Sequence, residues 1–130
     1  GGYLVEEMVT GAVAELLIGV LRDPAHGFLL TLGAGGVLTE IIGDTVSVLI
    51  PAPREELRAA LRSLRIAPVL AGYRGAPGAD MEDVLDAVMA VQEFVKQEYS
   101  RLEEVEINPL ICTPSGAVAA DALITIGEDR

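Results

Sequence analysis

Leu102–Ile126, LEEVEINPLICTPSGAVAADALITI, is the stretch on which the reading of this chain turns. Two apolar runs flank Thr113-Pro114-Ser115-Gly116, residues that favour a turn, so the segment predicts a β-hairpin. Glu106 and Asn108 stand two residues apart on the first run. Side chains alternate along a strand, which puts both on one face. Counted from the turn, Asp121 on the returning run lies about level with Asn108. Two carboxylates and an amide oxygen are hard donors, suited to magnesium or calcium rather than zinc. The spacing fits equally a hairpin whose polar edge faces water, and the residues alone leave both readings open.

Working outward, composition narrows the classes. The chain has 130 residues, of which 51% are hydrophobic and 22% charged, enough for one globular domain with a core. No apolar run approaches the roughly 20 residues that span a bilayer. The formal net charge of −11 argues against nucleic acid and against anionic membranes as partners, because phosphate binding relies on Lys and Arg. Lys96 is the single lysine, so a nucleotide bound here needs cations from a metal or from another part of the protein. The single cysteine, Cys112, excludes an internal disulfide, reads as a buried structural thiol, and fits the cytoplasm. The chain opens without Met and enters a strand at once, which reads as a piece (residues 1–130) of a longer polypeptide.

Upstream of the hairpin, short apolar runs come first. Tyr3–Val9, Ala14–Leu21, Phe28–Leu32, Val37–Ile42 and Thr45–Ile50 read as strands, closely spaced and therefore antiparallel neighbours. Asp23-Pro24 and Gly43-Asp44 read as turns. Helices follow. Pro53 stands at a helix start, with Leu57, Leu61 and Leu64 on one side and Arg54, Arg58 and Arg62 on another. That arginine row reads as a solvated face paired with Glu55. Ile66–Ala71 is a short helical piece before the Gly/Pro loop Tyr73–Ala79. Asp80 caps the longest helix, whose Met81, Val84, Val88, Val91 and Val95 form a core-facing stripe. Strands, then helices, then strands predict an α+β fold: an antiparallel sheet with helices on one face.

His26 is the only histidine and reads as a polar turn residue, which leaves no Ser-His-Asp or Cys-His constellation. Gly33-Ala34-Gly35-Gly36 is either a tight turn or an anion-approaching loop. Neither dinucleotide spacing nor a P-loop lysine accompanies it.

Three stretches taken in order carry a resemblance: Leu4–Pro51 with its DP…G…GxGG run, LAGYRGAPGAD at 70–80, and EINPLICTPSGAVAADALI at 106–124. Together they resemble the ATP-grasp region of the ADP-forming acyl-CoA synthetases of the acetate–CoA ligase type, relatives of the succinyl-CoA synthetase β subunit. The resemblance implies the second, C-terminal subdomain of an ATP-grasp fold, with ATP and Mg2+ as cofactors. It places Glu106, Asn108 and Asp121 against the magnesium. Glu6, Glu7 and Met8 fall in the hinge that meets the adenine, and Gly33, Gly35 and Gly36 in a loop close to the phosphates.

The implied reaction is acid + CoA + ATP to acyl-CoA + ADP + phosphate, run through an acyl phosphate and a phosphohistidine. The implied partners are the nucleotide and the CoA-binding and ligase domains of the same polypeptide or complex, none of which this chain holds. His26 occupies a position where the family carries an aromatic residue and is not taken for the phosphohistidine. On this reading the fragment alone is inactive, and its uncovered half-site makes a homo-oligomer an open expectation. The alternative is a ligand-sensing or structural ATP-grasp-like domain fused to a protein acetyltransferase.

Overall fold

A computed structural model describes residues 12–35 and 43–127. Period-2 patterning builds the sheet. Along β1 (Ala14–Asp23), Leu16, Ile18 and Val20 are buried, while Glu15, Leu17, Gly19 and Leu21 turn to the other face. Strand β2 (Gly27–Ala34) does the same with Phe28, Leu30 and Leu32, and β3 (Thr45–Ile50) turns the half-buried Val46, Val48 and Ile50 the same way. These three form an antiparallel meander. Long β4 (Leu102–Thr113) pairs antiparallel with the free side of β1. Its own far side is shared by β5 (Gly116–Ala119) and β6 (Ala122–Ile126), so the sheet runs β3-β2-β1-β4-β5 with β6 also on β4.

All helices of the described residues pack on one face. They are α1 (Arg54–Arg62), α2 (Ala67–Ala71) and α3 (Met81–Gln97). Leu57 and Leu61 of α1 and Val84, Leu85, Val88, Val91 and Val95 of α3 close one core with the inward strand residues. The expected α+β architecture, an antiparallel sheet with helices on one face, is what forms. The stripe on α3 matches its expected positions, with Leu85 added and Met81 only half-buried. Asp80 caps α3, its carboxylate accepting from the Asp83 N–H at 3.1 Å.

Three details differ from expectation. The returning arm of the hairpin is two strands and not one, broken at Ala120-Asp121. The arginine row is bound mainly by α3 and less by Glu55. Arg58 reaches Glu82 at 2.6 Å, and Arg54 meets Asp86 at 2.9 Å and Glu82 at 3.0 Å. Asp44, taken for part of a tight turn, is buried. The expected strands Tyr3–Val9 and Val37–Ile42 lie outside the described residues.

Candidate functional site

One face of the sheet carries the helices; the other is open. Register determines which residues meet there. Asn108 and Asp121 stand directly opposite, because Ile107 pairs with Ala122, Leu110 with Ala119, and the Asn108 N–H donates to the Asp121 carbonyl at 3.2 Å. Opposed residues of an antiparallel pair project to the same face. Ile107 packs toward the core, so Asn108 and Asp121 fall on the open side, and Glu106 joins them two residues along. The hairpin therefore brings Glu106, Asn108 and Asp121 to one face, as the spacing predicts.

A bulge sharpens the geometry. Between the Leu16–Leu110 and Ile18–Ile107 pairs, β4 spends one more residue than β1, and Asn108-Pro109 occupies the excess. Proline has no N–H for the ladder, which favours such a break. The Pro109 carbonyl is still used, accepting from the Ala120 N–H at 3.0 Å. The polar interruption of the returning arm thus sits against the bulge of its partner strand. Two contacts from α3 hold the hairpin in place. The Asp83 carboxylate accepts from the Ala117 N–H at 2.7 Å, and the Asp80 N–H donates to the Thr113 carbonyl at 2.9 Å. From the sequence, Asp83 stands out only by its place three residues after the Asp80 cap. Its bond to a strand 34 residues away has no local signal.

Register also places the glycines. Gly33 pairs with Leu17 on one side and Thr45 on the other, and Leu17 lies opposite the Asn108-Pro109 bulge. Thr45, Gly33, Leu17, Asn108 and Asp121 consequently form one row across the sheet. At the usual strand spacing, Gly33 and Asn108 are about 10 Å apart. The adjacent row runs Ser47, Thr31, Gly19, Glu106 and Leu123, and a Cβ added to Gly19 would meet nothing within 4 Å. Beside Glu106 there is open space.

The glycine run has its own reason for lacking side chains. A Cβ on Gly33 would come 2.5 Å from the Asp44 carbonyl oxygen, and one on Gly35 would come 2.5 Å from the Leu16 carbonyl carbon. Two of the run's amides are occupied within the protein: Ala34 N–H donates to Asp44 O and Gly35 N–H to Glu15 O, each at 2.9 Å. Close passage of backbone explains Gly33 and Gly35. Gly36, Glu6, Glu7 and Met8 lie outside the described residues.

Charge on the open face is one-sided. None of the chain's Lys or Arg residues lies among the positions of the two rows. Among the described residues no cluster of three or more His, Cys, Asp or Glu side chains forms a metal cage. The trio here has only two carboxylates, plus an amide oxygen. Magnesium is usually held by one or two carboxylates together with substrate phosphates, and this donor set fits that mode.

Two residues with reactive side chains are placed elsewhere. His26 is exposed in the β1–β2 turn, its Nδ1 3.1 Å from the Asp23 carboxylate, at the end of β2 remote from Gly33. The Ala25 N–H and then His26 hold the Asp23 carboxyl below its ordinary range. Cys112 is buried in the core, and burial pushes its thiol up to about 12, so it stays neutral and inert.

The ATP-grasp domain family matches residues 1–126, and the chain belongs to that family. Among curated relatives it is 32% identical, over 96% of its length, to the beta subunit of acetate–CoA ligase (ADP-forming) II of Pyrococcus furiosus. It is 30% identical, over 98% of its length, to acetate–CoA ligase (ADP-forming) I of Archaeoglobus fulgidus. The chain spans 53% of the first relative and 18% of the second. Among solved structures it superposes with a TM-score of 0.81 at 30% identity on an acetyl-coenzyme A synthetase of Ca. Korarchaeum cryptofilum in complex with coenzyme A and Mg-AMPPCP. That match covers 87% of this chain and 53% of the other.

Proposed function

We propose that this chain is the C-terminal subdomain of an ATP-grasp unit in an ADP-forming acyl-CoA synthetase. Its open sheet face then binds Mg-ATP during acid + CoA + ATP to acyl-CoA + ADP + phosphate. One observation carries the reading: the open face places Glu106, Asn108 and Asp121 together, with Asn108 and Asp121 opposed in register, in a chain of the ATP-grasp family. The Korarchaeum relative, solved with Mg-AMPPCP, supports the same ligand class.

On this reading Glu106, Asn108 and Asp121 hold the magnesium by oxygen, and when bound the ion neutralises phosphate charge during phosphoryl transfer. The chain's own contribution is positional. Strands β4, β1 and β2 keep the acidic trio and Gly33 at fixed separation on a rigid sheet, which fixes the path of the triphosphate between them. Gly19 leaves the adjoining surface clear. Cations for the phosphates come from the metal and from the remainder of the polypeptide or complex, where the CoA-binding and ligase domains also reside. The free, buried Cys112 fits a reducing compartment such as the cytoplasm.

Replacing Asn108 and Asp121 by Ala in the full-length protein tests the assignment. ATP-dependent CoA ligation is expected to fall by about a hundredfold or more, with KM for magnesium raised. Unchanged ligation in the double variant would refute the metal role.

A further inference from the structure

Asp44 is a carboxylate in an unexpected place. It is only 6% exposed, at the foot of β3, and its ordering role is written in three hydrogen bonds. One carboxylate oxygen accepts from the Arg65 N–H at 2.8 Å and the other from the Ile66 N–H at 2.9 Å. Its main-chain carbonyl accepts from the Ala34 N–H at 2.9 Å. One residue thus joins the end of β2, the start of β3 and the turn that enters α2.

Burying a carboxylate is costly unless its lone pairs are satisfied, and two charge-assisted amide bonds satisfy them here. The same bonds make the residue rigid in a specific direction. They tie down the residue that packs beside Gly33, whose missing Cβ would lie 2.5 Å from the Asp44 carbonyl oxygen and 2.7 Å from the Thr45 methyl. Gly33 in turn shares its row with Asn108 and Asp121. Asp44 therefore fixes the backbone at the end of β2, in the row that also carries Asn108 and Asp121.

We propose that Asp44 is a positioning residue for the bound nucleoside triphosphate, acting through the Gly33–Gly35 backbone without touching the ligand. The inference rests on the nucleotide reading of the open face and adds to it a residue that no motif marks. The substitution Asp44→Asn keeps the shape, removes the charge and exchanges one acceptor oxygen for an N–H donor, leaving one of the two amides without its partner.

The experiment measures kcat and KM for ATP, CoA and the carboxylic acid in the full-length protein carrying Asp44→Asn. KM for ATP is expected to rise about tenfold or more, with kcat within about threefold and the other two KM values unchanged. Lowered thermal stability with all three KM values unchanged would reduce Asp44 to a strut and overturn the proposal. If the variant does not fold, amide exchange in the wild-type protein decides. Addition of Mg-AMPPCP is expected to slow exchange at Ala34, Gly35, Arg65 and Ile66 together. Protection of the Asn108 amide with no change at those four overturns the proposal. The Asn108 and Asp121 variants separate the two layers: if they abolish ATP use while Asp44→Asn leaves its KM alone, only the positioning role fails. If they leave ATP use intact, the nucleotide reading fails and takes the positioning role with it.

Discussion

At the scale of single residues, the glycines divide into two kinds. Gly35 is glycine because the Leu16 backbone passes where its Cβ would be, at 2.5 Å, and backbone cannot rotate away. Gly19 is surrounded by open space, so steric need does not explain it. Gly35→Ala is expected to cost about 1–3 kcal/mol. Gly19→Ala is expected to leave stability unchanged or raise it by up to about 1 kcal/mol, since Ala loses less backbone freedom in a strand. Urea unfolding of the two variants checks the contrast. Equal destabilisation would mean that the open face beside Glu106 is packed in solution.

At the scale of elements, α1 and α3 are joined by an ion-pair network as well as by their apolar stripes. Glu82 lies between two guanidinium groups, and Arg58 first and Arg54 second pull its carboxyl from an ordinary 4.5 to about 2. A carboxyl depressed on folding stabilises the fold above its unfolded pKa, and the effect fades as pH falls through the folded one. The difference in stability between wild type and Glu82→Gln is therefore expected to be constant above about pH 5 and to vanish between about pH 4.5 and 2. Thermal melts of both proteins across that range read it directly; a difference that persists at pH 2 would contradict the assignment. Glu82 is 62% exposed, so salt weakens the effect as well.

For the whole molecule, the proposed nucleotide reading makes the open face half of a binding site. It offers acidic oxygens, a glycine row and space, but no lysine or arginine among its row positions. A polyanion meets there a surface of its own sign in a chain of net charge −11, and a metal ion alone compensates only part of that. Calorimetric titration of the 130-residue chain with Mg-ATP is expected to give a Kd weaker than about 1 mM. Tighter binding would show that this chain completes the site by itself.

How much of this was legible beforehand follows from the range of each interaction. Strand alternation, the α3 stripe, the Asp80 cap and the TPSG turn are local, and a reader of the sequence finds all four. The opposition of Asn108 and Asp121 was also legible, because a hairpin's register is set by counting from its turn. The one-strand reading of Ala117–Ile126 failed at Ala120-Asp121, which lies opposite the Asn108-Pro109 bulge of the partner strand. The contacts of Asp44 and Asp83 were hidden for the same reason: their partners, Arg65, Ile66 and Ala117, are 21 to 34 residues away. Sequence by itself determined the alternation, the turns and the acidic, lysine-poor composition, because those depend on neighbours within a turn or a strand. Only the tertiary structure decided that Gly33 and the acidic trio share one open face and that a buried Asp44 holds the row in place, because strand order and burial are properties of the assembled sheet.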